Sequence, residues 1–301
     1  MDIQILNTVC SIFAFVLGAM VGSFLNVCVY RLPRQLSVVK PRSKCPKCDS
    51  GIAWYDNIPV VSWLVLGAKC RNCGQPISWQ YPLVEAITGS LFFFVFWRYG
   101  FVLATPIYMV LSTGLVLVTF VDLTDWTIPN EVTFPGIPLG VACSVLAMYY
   151  PESRLVVAGP FQEQAWNSLL GVLVGGGSLY LLDKISLLLL GKRGMGFGDV
   201  KLLAMLGAFF GLYHVFVIIL LASLMGSVIG VLAIMVQKAK PAHGSEPKSA
   251  TEEAADTTPA LTGHYLPFGP YLAIAGIIVM FFGADIIHLY TSFTSPPESP
   301  F

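Results

Sequence analysis

The chain has 301 residues, of which 55% are hydrophobic and only 11% charged, with a mean hydropathy of +0.74; a typical soluble domain has about 25% charged residues. So little polar surface cannot cover a globule of this size, which excludes a soluble protein and leaves an integral membrane protein. Seventeen basic and 17 acidic residues cancel, so the net charge offers no footprint for nucleic acid or an anionic surface.

Crossing a bilayer takes about 20 mostly apolar residues. Candidate runs lie near Val9–Tyr30, Leu83–Tyr99, Thr105–Val121, Val132–Tyr149, Asn167–Leu182, Val200–Leu212, Val215–Val236 and Leu272–Leu289. The sixth is short, so its helix is expected to start before Val200. The expected fold class is an all-α polytopic membrane protein of about eight transmembrane helices with a small cytoplasmic zinc-ribbon-like insertion.

Arg31, Arg34, Lys40, Arg42, Lys44, Lys47, Lys69 and Arg71 all fall between the first two runs, which makes that segment cytoplasmic by the positive-inside rule. Alternation from there puts residues near 122–131, 183–199 and 237–271 on the same side, where Lys184, Lys192, Arg193, Lys238, Lys240 and Lys248 agree with it. Met1–Leu6 has no basic residue, whereas Arg31 and Arg34 follow the first run. That is the charge order of an uncleaved helix rather than of a signal peptide. The chain thus divides into a first transmembrane helix at 1–30, a cytoplasmic zinc-binding domain at 31–81 and a transmembrane unit at 82–301. Within the last, Ala239–Pro259 is rich in Ala, Glu, Lys, Pro, Ser and Thr and is predicted to be a disordered loop.

Glycines four apart recur at Gly18 and Gly22, Gly171 and Gly175, Gly207 and Gly211, and Gly226 and Gly230. Small residues at this spacing let helix backbones approach closely in lipid, so tight bundle packing is the reading here.

Of the seven cysteines, Cys10, Cys28 and Cys143 lie in apolar runs and behave as small buried hydrophobes. The other four form Cys45-Pro46-Lys47-Cys48 and Cys70-Arg71-Asn72-Cys73, 21 residues apart, just beyond the spacing of about 15 to 20 in zinc ribbons. A disulfide pair or redox motif is the rival reading. A reducing cytoplasm, and a segment too small to fold without a staple, favour zinc. Four thiolates leave no open position, so Cys45, Cys48, Cys70 and Cys73 are expected to hold a structural ion rather than a catalytic one.

Charged groups in a bilayer are costly, so each is a functional candidate. Glu85, Asp183 and Asp285 sit near span ends, where a hydrogen-bonded structural carboxylate is the simpler reading. Asp122, in Val121-Asp122-Leu123-Thr124-Asp125-Trp126-Thr127-Ile128-Pro129, and Asp199, in Gly194-Met195-Gly196-Phe197-Gly198-Asp199, are predicted at similar depth on one side. Two carboxylates held close can share one proton and serve as general acid and general base on a water attacking an amide. Gly196 and Gly198 lack Cβ atoms and so would let a peptide backbone approach the acid. The same glycines fail the dinucleotide fingerprint, because no strand precedes them; a helix-breaking turn is their structural alternative. A proton relay in a transporter is a second reading of the acids, and a zinc-bearing scaffold without catalysis a third. The relay would be expected to show inverted repeats, and no clear repeat links the halves.

These residues together resemble the type IV prepilin peptidase family, membrane aspartic proteases of the GxGD class. The resemblance rests on Gly22-Ser23-Phe24-Leu25-Asn26-Val27 with Arg31-Leu32-Pro33, the two Cys pairs, Tyr81-Pro82-Leu83-Val84-Glu85, Asp122 with Pro129, Gly196-Phe197-Gly198-Asp199 with Lys201-Leu202-Leu203, and Pro267-Phe268-Gly269-Pro270. It implies a catalytic pair at Asp122 and Asp199, with Asp125 not fitting the first position. It also implies that 82–301 is an aspartic peptidase domain in the bacterial inner membrane, cleaving leaders from prepilins or pseudopilins at the cytoplasmic face. The cysteine domain looks like the bifunctional form, in which the new N-terminal amine is methylated from S-adenosylmethionine. No S-adenosylmethionine-binding Rossmann pattern occurs, so the methyl-donor site is not assigned. Asn130 stands where many members have Asp, at a position outside the catalytic pair. Membrane lipid and the prepilin substrates are the expected partners, with no nucleic acid.

Overall fold

A computed structural model describes residues 3–150, 152, 165–191, 195–239 and 267–294. The helices are α1 (Ile3–Arg31), α2 (Val61–Val65), α3 (Gln80–Tyr99), α4 (Ala104–Asp125), α5 (Asn130–Tyr149), α6 (Ala165–Leu190), α7 (Phe197–Ala239) and α8 (Gly269–Thr294). There are no strands among the described residues, only isolated bridges at Lys44–Gly51 and Lys69–Pro76. The disordered stretch expected from Ala239 lies outside the described residues except for Ala239 itself, and so does Gly194.

Six helices are long and apolar enough to cross a membrane: α1, α4, α5, α6, α7 and α8. The predicted second run is α3, which is not among those six. The predicted sixth and seventh runs are the two halves of α7. The sixth starts at Phe197, ahead of Val200 as expected. The break falls at Gly211, whose φ of 77° and ψ of 176° are not helical. Leu206 and Gly226 are 20 residues apart, yet they meet Gly276 and Tyr271 of α8, which are only five apart. A straight helix would separate them by about 30 Å, so α7 doubles back at Gly211. The turn leaves backbone groups without helical partners. The Asn167 side chain accepts from the Leu212 N–H at 3.0 Å, and buried His214 donates through Nδ1 to the Phe210 carbonyl at 2.6 Å.

Small residues set the helix pairs, as their spacing predicted. A Cβ on Gly22 would lie 2.7 Å from the Glu85 Cα, so α1 and α3 are in backbone contact there. Gly171 and Gly207 are opposed carbonyl to Cα across the α6–α7 crossing, where Ser168 also donates to the Ala208 carbonyl at 2.6 Å. The core is formed by α4, α7 and α8, with Tyr108, Leu115, Leu202, Leu206, Phe210 and Leu272 fully buried. On the outside, Phe13, Leu188 and Leu220 are 72%, 85% and 69% exposed, as expected of helices whose solvent is lipid.

Residues 32–79 form the insertion between α1 and α3. Its two Cys pairs sit in matching turns: Cys45 N–H bonds to the Ser50 carbonyl and Cys70 N–H to the Gln75 carbonyl. The pattern Lys-Cys-x-x-Cys-x-x-x-Ile-x-Trp occurs at 44–54 and again at 69–79, so the domain holds the same knuckle twice.

Candidate active site

Asp122 lies in the last turn of α4, which Trp126 ends by adopting a left-handed conformation and bonding its N–H to the Asp122 carbonyl. Asp199 lies in the first turn of α7. Both residues are buried, at 6% and 8% exposure. Their neighbours meet at Ile128: a Cβ on Gly198 would lie 2.9 Å from the Ile128 Cβ, and one on Gly269 would meet both Ile128 and Asp122.

The Gly269 N–H donates to Asp122 Oδ2 at 3.1 Å, and Gly269 opens α8, so one carboxylate is held by the N-terminal turn of another helix. A methyl group at 269 would sit 2.5 Å from that oxygen. Glycine is therefore required there by close approach. The loop before Asp199 is fixed by a turn from the Asp199 N–H to the Gly196 carbonyl at 3.1 Å. It is fixed also by Asp183 on α6, which accepts from the Met195 N–H at 3.4 Å. Asp183 is thus a hydrogen-bonded structural carboxylate, as expected from its place near a span end.

Asp125 has a different environment. It accepts from Thr124 Oγ1 at 3.0 Å and pairs with Arg34 at 3.3 Å on the exposed rim. The sequence contains two acids three residues apart, and the fold buries only the first. Lys201, two residues past Asp199, bonds to Asn130 and lies over the rings of Phe134 and Phe197. Glu85 is buried, and its carboxylate accepts the Val60 N–H at 2.7 Å, which joins the insertion to α3.

Ile128 and Gly269 are the site residues that sequence reasoning did not single out. Pro267-Phe268-Gly269-Pro270 was visible as a motif, but nothing in it shows that its glycine touches an aspartate 147 residues away.

The insertion brings Cys45, Cys48, Cys70 and Cys73 together, with all four Sγ atoms within 4.8 Å of one another. The Cys45 and Cys73 sulfurs are 3.9 Å apart. A tetrahedral ion with bonds of about 2.3 Å needs about 3.8 Å between sulfurs, so the donor set and its size suit zinc. The Ser50 hydroxyl beside Cys48 draws its thiol down to about 6, and backbone hydrogen bonds from Cys73 and Asn72 lower Cys70. The Gln75 amide acts in the same sense on Cys73, but burial and the neighbouring thiols push it up to about 11. Four thiols this close resist joint ionisation, a conflict that a bound cation removes.

Residues 16–99, with all four of these cysteines, match the family model described as the bacterial peptidase A24 N-terminal domain. Residues 109–231, with Asp122 and Asp199, match that of the type IV leader peptidase family. The chain is 39% identical over 253 residues to a prepilin leader peptidase/N-methyltransferase of Myxococcus xanthus, covering 84% of this chain and 70% of that one. It is 33% identical over 303 residues to the Stutzerimonas stutzeri protein of the same name, covering 93% of each. It is also 33% identical over 300 residues to the Pseudomonas aeruginosa protein, covering 92% of each. No solved structure matches. The transporter reading of the acids gains no support from these relatives.

Proposed function

Because the chain belongs to the type IV leader peptidase family, as a prepilin leader peptidase/N-methyltransferase, we propose that Asp122 and Asp199 are its catalytic pair. The single observation that carries this is that both acids lie buried at the ends of two helices distant in sequence, where Gly198 beside Asp199 and Gly269 bonded to Asp122 pack on the same residue, Ile128. Buried acids are costly in such a setting, and two placed together gain nothing structurally from their proximity.

With one carboxyl protonated, the other takes a proton from water as the water oxygen attacks the scissile carbonyl carbon. The protonated acid donates to the carbonyl oxygen, giving a neutral tetrahedral intermediate. Collapse breaks the C–N bond and a proton passes to the leaving amine. The Gly269 N–H orients Asp122 throughout, and Asp183 holds the loop that carries Asp199. The substrate is the leader junction of a prepilin or pseudopilin, cut on the cytoplasmic side of the bacterial inner membrane. The basic residues between α1 and α3 support that orientation.

The amine released is then N-methylated. S-adenosylmethionine supplies the methyl group when bound, and no residue of this chain is assigned to it. The segments 1–30, 31–81 and 82–301 act as anchor helix, four-cysteine zinc domain and peptidase domain, with the zinc structural. The test is incubation of the purified, reconstituted protein with a prepilin and S-adenosylmethionine, followed by mass spectrometry of the product. A shortened N-terminus carrying one added methyl group is expected. An intact prepilin would refute the peptidase, and a cleaved but unmethylated product the methyltransferase.

A further inference from the structure

The start of α5 is weak by sequence. Its N-cap is Pro129, which makes no side-chain cap hydrogen bond, and Pro135 and Pro138 stand inside the helix. A proline has no backbone N–H, so the carbonyls of Glu131 and Phe134, four residues earlier, lose their helical donors. The bonds from the Val132 and Thr133 N–H groups to the Pro129 carbonyl are long, at 3.4 Å each. Yet the link that enters this helix carries Ile128, which packs against both Gly198 and Gly269. A loosely held start of α5 would leave Ile128 free to shift, and with it the backbone beside Asp199 and the N–H that bonds Asp122.

The hold comes from α7. Lys201 bonds through Nζ to Oδ1 of Asn130, the first residue of α5. The same ammonium lies 5.2 Å from the centre of the Phe134 ring and 5.4 Å from that of Phe197, where the negative face of each ring attracts it. Asn130 and Phe134 are four apart on one face of α5, and Phe197 and Lys201 are four apart on one face of α7. A single cation therefore joins the first turns of both helices. Farther along, the same two helices close on glycine: a Cβ on Gly136 would meet the Met205 side chain, and one on Gly140 would lie 2.8 Å from the Ala208 Cβ. Lys201 closes this seam at the end that holds the site.

Gly198 touches Ile128 and Lys201 touches Asn130, so these contacts between α7 and the link from α4 to α5 straddle Asp199. Residues two apart on a helix do not face each other. The ion pairs among the described residues are Arg34–Asp125, Lys44–Asp49 and Arg71–Asp56, so Lys201 is paired with neither Asp122 nor Asp199.

We propose that Lys201 is a positioning residue of the peptidase, fastening the start of α5 to α7 so that Ile128 stays seated between the neighbours of Asp122 and Asp199. The proposal rests on the peptidase reading and adds to it a residue that acts through the link from α4 to α5 rather than on the reacting atoms.

The test measures prepilin cleavage by the full chain in vesicles. Lys201→Met keeps a long unbranched side chain and removes the charge; kcat should fall about 10- to 100-fold, the cost of a displacement of up to about 1 Å at a reacting group, with KM within about threefold. Lys201→Arg still bonds Asn130 and stacks on both rings, and should bring kcat back to within about threefold of the parent. Asn130→Ala, at an exposed position, should lower kcat in the same way. The double variant should lose no more than the worse single one, since both changes remove one contact. Amide hydrogen exchange in the link 126–129 should speed up in Lys201→Met while that of α8 does not. Parental kcat in Lys201→Met, a loss that Lys201→Arg leaves unrepaired, losses that multiply in the double variant, or unchanged exchange in the link would overturn the proposal. Where Lys201→Met fails to insert, Asn130→Ala decides: parental kcat and exchange in that variant overturn the proposal. If the unsubstituted chain cleaves prepilin while these outcomes fail, the role of Lys201 alone is wrong; if it cleaves nothing, the peptidase reading falls first.

Discussion

Replacing Gly269 by alanine isolates how tightly Asp122 is held. The new Cβ would lie 2.5 Å from Asp122 Oδ2 and 3.1 Å from Ile128 Cδ1, where ordinary contact begins at 3.4 Å. The carboxylate must therefore retreat by about 0.9 Å, the difference between 3.4 and 2.5 Å, and its 3.1 Å bond to the 269 N–H is strained with it. A misplacement of about 1 Å at a reacting group costs on the order of 100-fold in rate, or about 2.7 kcal/mol of barrier. Initial rates of prepilin cleavage by reconstituted protein should show kcat lowered by that factor. Gly177→Ala is the control, because nothing lies within 4 Å of a Cβ there. Wild-type kcat in the Gly269→Ala protein would refute the geometry assigned to Asp122.

Asp125→Asn should leave cleavage within about twofold, because its pair with Arg34 is exposed and such pairs contribute roughly 0.2–1 kcal/mol; a loss as large as that of Asp122→Asn, read in the same cleavage assay, would reverse the assignment of the two acids. Cys70→Ser should lower bound metal from about one zinc per chain toward none and open residues 43–78 to trypsin; unchanged metal content on elemental analysis would refute the tetrathiolate site. Gly171→Ala drives a methyl group into the Gly207 carbonyl and should cost about 1–3 kcal/mol, seen as a lower unfolding temperature in detergent; an unchanged temperature would contradict the backbone contact between α6 and α7.

Much of this was legible before the structure because lipid imposes simple rules. Apolar runs of a set length marked the helices, and glycines four apart marked helices that pack closely, as α1 does on α3 and α6 on α7. The two Cys pairs announced their own convergence. Local pattern did not show how α7 turns, since a single glycine ends one helix and starts the next, with Asn167 contributed from α6 to complete it. Nor did it show the partners of the acids. That Asp122 is buried while Asp125 pairs with Arg34 depends on how α4 packs against its neighbours, and α4 ends at Trp126 in a left-handed conformation a tryptophan seldom takes. Gly269 lies far along the chain, and only packing carries it to Asp122.

The central claim is that Asp122 and Asp199 form one catalytic site. Its most direct measurement is the mature N-terminus of a prepilin after incubation with the Asp199→Asn protein, inserted and folded as the parent is. The account predicts intact prepilin, with no shortened product. Processing at the parent's rate would contradict it.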